Sequence, residues 1–294
     1  MKGLVIINAY PAGEKFLRQG ERICAALRAV GLEADVIKNG EALVRILENG
    51  EADSSLKEYG FAIYLDKDKY LGRLLEAQGI RLFNSAKAVE VCDDKMLTYL
   101  SLLQKNIPVV ESIPAPLCYT KNATPSEKFL QNVEKTLGYP LVAKKSYGSF
   151  GAGVVLVHDR VELERTAQEF LYEPHFYQRF EALSAGKDVR VIVIGKKAVA
   201  AMQRKAKDGE FRSNIELGGV GEKIELTDAY RKVAEDVASA LDLDYCGVDL
   251  LTGERGPIVC EVNSNAFFEG LESVTGVDIA LAYAKHVKNS LENV

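Results

Sequence analysis

Two carboxylates and an amide occupy matching positions in a predicted β-hairpin late in the chain. Residues 247–251 and 258–263 are apolar, strand-like runs, and the residues between them have the composition of a turn. If the runs pair as a symmetric hairpin, Asp249 lies across from Glu261, and Asn263 shares their face because strand side chains alternate. Like charges so placed need a counter-charge, and all-oxygen ligands suit Mg²⁺ or Mn²⁺. A solvated sheet face is the alternative that this hairpin alone leaves open.

A glycine-rich loop at residues 146–153 joins two further strand-like runs. Its last six residues contain three glycines, which would let backbone amides approach phosphate oxygens. Because the loop connects strand to strand, it is neither a Rossmann turn nor a Walker loop. Lys144 and Lys145 precede it on opposite faces of a strand, so one can reach phosphate while the other meets solvent. An ordinary mobile hairpin turn would explain the same pattern.

A third group of charged side chains lies between the loop and the carboxylate hairpin. Asp188 and Arg190 share one face of a predicted strand, and Arg204 follows on the opposite strand of the same hairpin. Arg212 and Asn214 lie in the polar loop beyond. A single surface arginine usually does little, but arginines grouped ahead of paired carboxylates indicate a site that handles anions.

Composition narrows the class of protein. The chain has 294 residues and a net charge of -5, which argues against bulk binding to nucleic acid. We expect no membrane segment, because no apolar run approaches the ~20 residues that span a bilayer. We expect no signal peptide, because the first residues resemble a buried strand. The five cysteines lack metal-site spacing and indicate a reducing cytoplasm, and the three scattered histidines make histidine-based catalysis a poor explanation.

The order of predicted elements suggests more than one packed unit. Strands at residues 4–8, 34–37 and 61–65 alternate with helices such as 15–30, which predicts a parallel, doubly wound layer. One helix is expected at 93–105 and an extended connector at 108–120. A helix, strand, glycine loop, strand and helix should follow from about residue 124. Strand hairpins with a final helix after Gly276 should complete the chain.

These residues together resemble the ATP-grasp superfamily, and within it the RimK-type amino-acid ligases. The resemblance covers residues 95–282 and is densest at four segments, 211–214, 247–249, 261–263 and 269–280. It implies an α/β chain, α+β in its C-terminal part, with an N-terminal Rossmann-like pre-ATP-grasp domain before the ATP-grasp fold. The implied domains are residues 1–90, a small lobe with the glycine-rich lid at 91–180, and a large lobe with the metal site at 181–294.

The resemblance also implies roles for individual residues. Lys95, on the helix before the ATP-binding part, and Lys144 should contact the nucleotide. The lid should cover its phosphates through Gly148, Ser149, Phe150 and Gly151. The implied adenine segment is Gln178, Arg179 and Phe180, and Asp188 stands on the ribose side. Arg212 and Asn214 match positions near the γ-phosphate and acyl intermediate, with Arg204 as a further catalytic candidate. The implied metal ligands are Asp249, Glu261 and Asn263.

Three departures from the family pattern fall where the adenine or the substrate should bind. After the metal asparagine, RimK-type chains commonly read Ala/Ser-Ser-Pro-Gly, whereas this chain reads Ser-Asn-Ala-Phe-Phe at residues 264–268. Lys205 replaces an expected arginine, and Arg179 stands where relatives often have an acidic residue. The two phenylalanines, Phe267 and Phe268, could favour a more apolar substrate.

The expected function is an ATP-dependent carboxylate–amine ligase that uses two Mg²⁺ or Mn²⁺ ions. Its amine is expected to be L-glutamate or a similar amino acid, and its acceptor carboxylate a peptide tail, a carrier protein or a cofactor precursor. A cytoplasmic enzyme that can form homo-oligomers is expected. An ATP-grasp kinase and a non-catalytic nucleotide-binding assembly module are the alternatives.

Overall fold

The N-terminal part of the chain forms a parallel sheet with helices against it, as the alternation of strands and helices predicts. The computed structural model describes residues 2–10, 13–207, 210–213 and 218–293. Its first elements are β1 (Lys2–Ile7), α1 (Glu14–Ala29), β2 (Glu33–Lys38), β3 (Val44–Ile46), β4 (Ala52–Ser54), β5 (Phe61–Tyr64), α2 (Lys69–Ala77), β6 (Arg81–Phe83) and α3 (Ala86–Asp93). The N-terminal sheet has the order β2-β1-β5-β6 with parallel pairings, and β3 and β4 form a separate antiparallel hairpin.

The helix predicted at 93–105 is α4 (Lys95–Leu103), and a helix that was not predicted, α3, ends just before it. Asp94 lies between them in an extended conformation. The Asp94 carboxylate accepts hydrogen bonds from the backbone N–H groups of Met96 and Leu97, which caps the new helix. This break places Lys95 on the first turn of α4.

A small antiparallel sheet follows. Its elements are β7 (Ser112–Pro114), α5 (Glu127–Leu137), β8 (Leu141–Lys145), β9 (Val154–Val157), α6 (Arg160–Phe170) and β10 (His175–Arg179). The small sheet has the order β7-β10-β8-β9, so part of the expected extended connector is an edge strand that pairs with β10. The glycine-rich loop joins β8 to β9, which confirms the predicted hairpin.

The large sheet completes the fold. Its elements are β11 (Lys187–Ile194), β12 (Lys197–Lys205), β13 (Val220–Lys223), α7 (Asp228–Ala240), β14 (Tyr245–Gly253), β15 (Gly256–Asn263), α8 (Glu269–Thr275) and α9 (Ile279–Glu292). The sheet is antiparallel with the order β13-β12-β11-β14-β15. The final helix after Gly276 is α9, as predicted, but two helices were not predicted, α7 between β13 and β14 and α8 after β15.

The N-terminal sheet and the large sheet share one buried core. Ile63 of β5, Ile192 of β11 and Tyr283 of α9 belong to the same apolar cluster. The buried Asn84 amide donates to the backbone carbonyls of Tyr245 and Ser264, each at 2.8 Å, and so connects the two layers. Across the described ranges, no helix is both long and apolar enough to cross a bilayer. The division into domains at residues 90 and 180 stays a prediction.

Candidate active site

The β14–β15 hairpin brings the three predicted metal ligands to one face. Asp249 pairs with Glu261, and Asn263 pairs with Gly247, as the sequence predicts. The hairpin is not symmetric, however, because a register shift next to Asp249 leaves Cys260 as an extra residue on β15. Without this bulge, Asp249 would face Cys260, and Glu261 would turn to the opposite side of the sheet.

Two arginines supply the counter-charge that the carboxylates need. Arg190, across from Asp249 on β11, donates from Nε to Oδ1 at 2.7 Å and from Nη2 to Oδ2 at 2.6 Å. Arg204 Nη2 lies 2.9 Å from the same Oδ2. Burial by itself raises the pKa of Asp249, but the two guanidinium groups hold it below its usual range. The negative charge of Asp249 is thus neutralised by Arg190 and Arg204. This corrects the expectation that a metal ion is needed to neutralise it.

Arg204 is fixed by a second carboxylate. Its Nε donates to Asp188 Oδ1 at 2.7 Å, its Nη2 bonds Asp188 Oδ2, and the Ser213 hydroxyl donates to the same oxygen at 2.7 Å. Burial alone lowers the pKa of Arg204, but the charges of Asp249 and Asp188 reverse this and raise it. Asp188, Arg204 and Asp249 therefore form a buried chain of alternating charge on one sheet face.

A cleft between the small and large sheets, here called the lobe cleft, collects most of the predicted nucleotide residues. Lys95 and Glu261 lie in it 3.5 Å apart. The other predicted residues that line this cleft are Lys144, Gly148, Ser149, Gly151, Gln178, Arg179, Phe180, Asp188, Arg204, Arg212 and Asp249. Phe150 and Asn263 are predicted residues that do not line it; both belong to a second cleft.

The two lysines before the loop point in opposite directions, as strand alternation predicts. Lys144 lies in the lobe cleft with Nζ 3.5 Å from the Cys260 sulfur, so the bulged residue stands beside it. Lys145 turns away and pairs with Glu173 at 2.7 Å. Burial raises the pKa of the Cys260 thiol, although the charge of Lys144 opposes this.

The predicted adenine segment is held by contacts outside the cleft. The buried Gln178 amide donates to the hydroxyls of Tyr99 and Ser112, each at 2.9 Å. The half-exposed Arg179 pairs with Glu111 at 2.6 Å. Both side chains are occupied, so the backbone of this segment is what it can offer to a ligand.

The glycine-rich loop is held over the junction of the lobes by cations from three parts of the chain. Lys95 donates to the Gly148 carbonyl at 2.8 Å, Arg212 to the Gly151 carbonyl at 3.1 Å, and Lys67 to the Ser149 hydroxyl at 3.1 Å. Gly153 has a φ of 71°, and a Cβ there would lie 2.9 Å from the Lys145 side chain. A larger residue at 153 would therefore disturb the lid.

Arg212 and Asn214, in the loop after β12, were both predicted to lie near the γ-phosphate. Arg212 pairs with Glu210 at 2.8 Å, and its hydrogen bonds lower the pKa of Glu210 to about 2. Asn214 lies outside the described residues. Lys205, the departure from the expected arginine, pairs with Glu222 at 2.6 Å and lines neither cleft.

A second cleft, here called the interlayer cleft, opens between the N-terminal sheet and the large sheet. Its volume is about 240 Å³. Arg190, Asn263 and Phe267 line it from the large-sheet side, and Asn8 and Lys67 line it from the N-terminal side. It shares with the lobe cleft the residues Lys95, Ser149, Arg204 and Glu261. The two clefts therefore meet at charged side chains.

The N-terminal contribution to this cleft was not anticipated from the sequence. Asn8 and Asp66 follow the carboxyl ends of β1 and β5, and Asn8 Nδ2 donates to Asp66 Oδ2 at 2.9 Å. Ligands of open parallel sheets gather at that edge, which is the signal that could have found these residues. Phe267 lines the cleft beside Phe150 and Phe16, whereas Phe268 is buried in the core. Of the two phenylalanines, only Phe267 can therefore touch a substrate there.

The carboxylate hairpin fits a hard divalent ion. Glu261 is partly exposed, and the buried Nδ2 of Asn263 has no hydrogen-bond partner within the described residues. The oxygens of Asp249 and Glu261 with the amide oxygen of Asn263 form the all-oxygen donor set that Mg²⁺ prefers. No group of three or more histidine, cysteine, aspartate or glutamate side chains in the described ranges is placed to hold an ion.

Comparisons with known proteins identify the family of the chain. A family model for the RimK-like ATP-grasp domain matches residues 92–287. A probable alpha-L-glutamate ligase of Thioalkalivibrio sulfidiphilus is 36% identical over 231 residues, which cover 77% of this chain and 71% of that protein. Human N-acetylaspartylglutamate synthase A is 32% identical over 236 residues, which cover 79% of this chain but 58% of that protein.

A solved structure shares the fold along the whole chain. The RimK domain ATP-grasp protein of Sphaerobacter thermophilus superposes with a TM-score of 0.74 at 19% identity, covering 97% of this chain and 99% of that one. The family match extends over both sheets that form the lobe cleft. The chain belongs to the RimK-like ATP-grasp family and is an ATP-dependent carbon–nitrogen ligase.

Proposed function

We propose that this ligase joins L-glutamate, or a similar amino acid, to an acceptor carboxylate through an acyl phosphate. One observation carries the proposal. The lobe cleft, where the nucleotide is expected, meets the interlayer cleft at Lys95, Ser149, Arg204 and Glu261. A phosphoryl group leaving a nucleotide in the first cleft would pass directly to a carboxylate in the second.

In this proposal the nucleotide lies between the small and large sheets. Lys144 and Lys95 neutralise its phosphates, and the loop with Gly148, Ser149, Phe150 and Gly151 covers them. The backbone of Gln178, Arg179 and Phe180 meets the adenine, and Asp188 lies on the ribose side. Residues 1–90, 91–180 and 181–294 then act as the acceptor-choosing domain, the small lobe and the large lobe.

Asp249, Glu261 and Asn263 would hold the two divalent ions, Mg²⁺ or Mn²⁺, that the nucleotide requires. Such ions neutralise negative charge on the transferring phosphoryl group. The remaining catalytic work is positioning, which suits a site rich in cations and without an evident nucleophilic side chain among its predicted residues.

The chemistry proceeds in two displacements. An oxygen of the acceptor carboxylate attacks the γ-phosphorus of ATP, and ADP leaves, which converts a poor acyl donor into an acyl phosphate. The amino nitrogen of the second substrate then attacks the acyl carbon, inorganic phosphate leaves, and the nitrogen loses a proton. Arg204, Arg212 and Asn214 are assigned to the phosphoryl group and the negative charge that develops on the acyl oxygen.

The relatives' names guide the choice of substrates. One is named for the ligation of L-glutamate and the other for N-acetylaspartylglutamate, in which glutamate is bound to a small N-acylated acid. L-Glutamate is therefore the proposed amine. The acceptor is a carboxylate on a peptide tail, a carrier protein, a cofactor precursor or a small acid.

Release of ADP tests the function. The purified protein should release ADP from Mg·ATP when both an acceptor and an amino acid are present, and omission of either should stop turnover. The acceptor panel should include N-acetyl-L-aspartate, citrate and peptides ending in glutamate, with each common amino acid as the amine. ADP release that needs a hydroxyl acceptor and no amine would indicate a kinase, and nucleotide binding without turnover would indicate an assembly module.

A further inference from the structure

We propose that Asp249 exchanges Arg190 for a divalent ion when the nucleotide binds, and that the released Arg190 then binds a carboxylate of the amino-acid substrate. This inference rests on the proposed function and adds an order of binding to it. It also assigns substrate recognition to Arg190.

The first observation is the crowding around Asp249. A carboxylate offers about four lone-pair positions. Arg190 Nε and Nη2 occupy one position on each oxygen, at 2.7 and 2.6 Å, and Arg204 Nη2 occupies another at 2.9 Å. Asp249 itself is buried. One position, on Oδ1, remains, but a divalent ion there would lie beside the cationic Arg190, and like charges repel at that range. The ion and Arg190 therefore compete for Asp249.

The second observation is that the two arginines are held unequally. Arg204 is almost completely buried and keeps a two-point bond to Asp188, which the Ser213 hydroxyl supports. In the described part of the chain, Asp249 is the single carboxylate within ion-pair distance of Arg190. Arg190 thus has fewer bonds to lose, and it is the arginine that leaves.

The third observation concerns the surroundings into which the Arg190 side chain would move. Its side chain is 14% exposed and lines the interlayer cleft. A guanidinium that loses its partner in a mostly buried place needs another anion, because an uncompensated buried charge is costly. The other cations that line this cleft keep their partners in the exchange, since Lys95 stays near Glu261 and the lid, and Lys67 stays paired with Asp93 at 2.7 Å, so Arg190 is the cation that needs a new anion. The planar fork of Arg190 matches a substrate carboxylate in two-point geometry.

The exchange predicts reciprocal binding. If the ion and nucleotide free the arginine that binds the amino acid, each ligand must strengthen the binding of the other by the same factor. An amino acid would then bind weakly to the free enzyme, so that ATP enters first.

The test measures the reactivity of Arg190 directly. Phenylglyoxal modifies accessible arginines, and peptide mass spectrometry reports each site. In the full-length protein, Arg190 should react slowly alone and roughly tenfold faster with Mg²⁺ and a non-hydrolysable ATP analogue, a factor typical of ligand coupling. Arg204 is the internal control and should stay unreactive in both states. The analogue with EDTA should have no effect.

A variant tests, without nucleotide, whether the charge of Asp249 holds Arg190. Asp249→Asn removes the charge that holds Arg190, so Arg190 should become reactive without nucleotide, provided that a thermal melt shows a folded protein. Unchanged reactivity of Arg190 in the wild-type protein on addition of Mg²⁺ and analogue would overturn the exchange.

Protection by the substrate tests the second part of the proposal, the binding of a substrate carboxylate by Arg190. The amino acid that gives the fastest ADP release, expected to be L-glutamate, should suppress the reactivity that Mg²⁺ and analogue induce. A lack of protection would overturn the assignment of Arg190 to the substrate. If no amino acid supports ADP release, the proposed function fails, and the change in Arg190 reactivity with Mg²⁺ and analogue still decides the exchange.

Discussion

At the scale of single residues, strand alternation was sufficient to identify which side chains share the face of the site. It was not sufficient to identify the side chains to which they bond. It placed Asp249, Glu261 and Asn263 together and turned Lys144 and Lys145 apart. It could not reveal that Arg190 meets Asp249, because that contact requires β11 and β14 to be neighbours across more than fifty residues of sequence. The bulge at Cys260 was equally hidden, since no pattern of residue types distinguishes it from a regular strand.

Lys144 should contribute to nucleotide binding, whereas Lys145 should not. Lys144→Ala removes a charged donor from the lobe cleft, and hydrogen bonds to charged groups contribute about 1.5–3 kcal/mol. Affinity for a non-hydrolysable ATP analogue, measured by calorimetry, should fall roughly 10- to 100-fold. Lys145→Ala is the matched control, because its pair with Glu173 lies at the surface and contributes about 0–1 kcal/mol. The opposite ranking would show that the strand faces are wrongly assigned.

Arg204 should be needed for stability as well as for activity. Arg204→Met would leave Asp188 and Asp249 facing each other with one fewer cation, and breaking a buried pair typically costs about 3–5 kcal/mol. Urea unfolding should report a loss of this size. Lys205→Met on the same strand breaks the exposed pair with Glu222 and should cost less than about 1 kcal/mol. Equal losses in the two variants would contradict a buried network centred on Arg204.

At the scale of elements, few local contacts stabilise the glycine-rich loop. It is positioned instead by side chains from other segments of the chain. Its backbone is held by Lys95 of α4 and by Arg212 of the loop after β12, and its Ser149 hydroxyl by Lys67 of the segment after β5. The hairpin itself was predicted from its glycines and flanking strands, but these anchors are distant in sequence. Helix α7 was missed although Val233, Ala234, Val237 and Ala238 repeat with helical spacing, because the apolar strands around it favoured hairpins.

The loop should become more ordered when nucleotide binds, and Phe267 should restrain it beforehand. Phe150 at the loop tip lies 6.1 Å from Phe267 and 6.4 Å from Phe16, measured between ring centroids. Hydrogen exchange of residues 148–153 should slow on addition of Mg²⁺ and a non-hydrolysable ATP analogue, because closure protects backbone amides. Phe267→Gly should speed exchange of the same residues in the free protein.

Tyr119→Ala is the control for that comparison, since Tyr119 is an exposed aromatic residue that lines neither of the two clefts. Exchange at residues 148–153 that is equal with and without nucleotide would favour an ordinary hairpin turn. A Phe267→Gly variant that matches wild type in the free state would remove the aromatic contact from the explanation.

At the scale of the whole molecule, the interlayer cleft is the feature that sequence reasoning was least able to foresee. It combines Asn8, Asp66 and Lys67 from the N-terminal layer with Arg190 and Asn263 from the large sheet. These residues meet because the two layers share a core and because Asn84 bonds backbone groups of the large sheet. The N-terminal parallel layer could be read from the order of the elements, whereas the cleft depends on how two layers pack.

Because the N-terminal layer forms one wall of this cleft, it should select the acceptor without affecting the nucleotide. Among the described residues, Lys67 is the cation that lines the cleft from this layer. Lys67→Met should raise the KM of the best acceptor in the ADP-release assay by roughly 10-fold, the effect of losing one charged hydrogen bond. The KM for ATP should change little. Lys69→Met is the matched control, because Lys69 lies two residues away, near Glu90 at 3.8 Å, and lines neither of the two clefts. If Lys67→Met raised the KM for ATP instead, Lys67 would act through its bond to Ser149 of the lid, and the acceptor would have to be sought along another wall of the cleft.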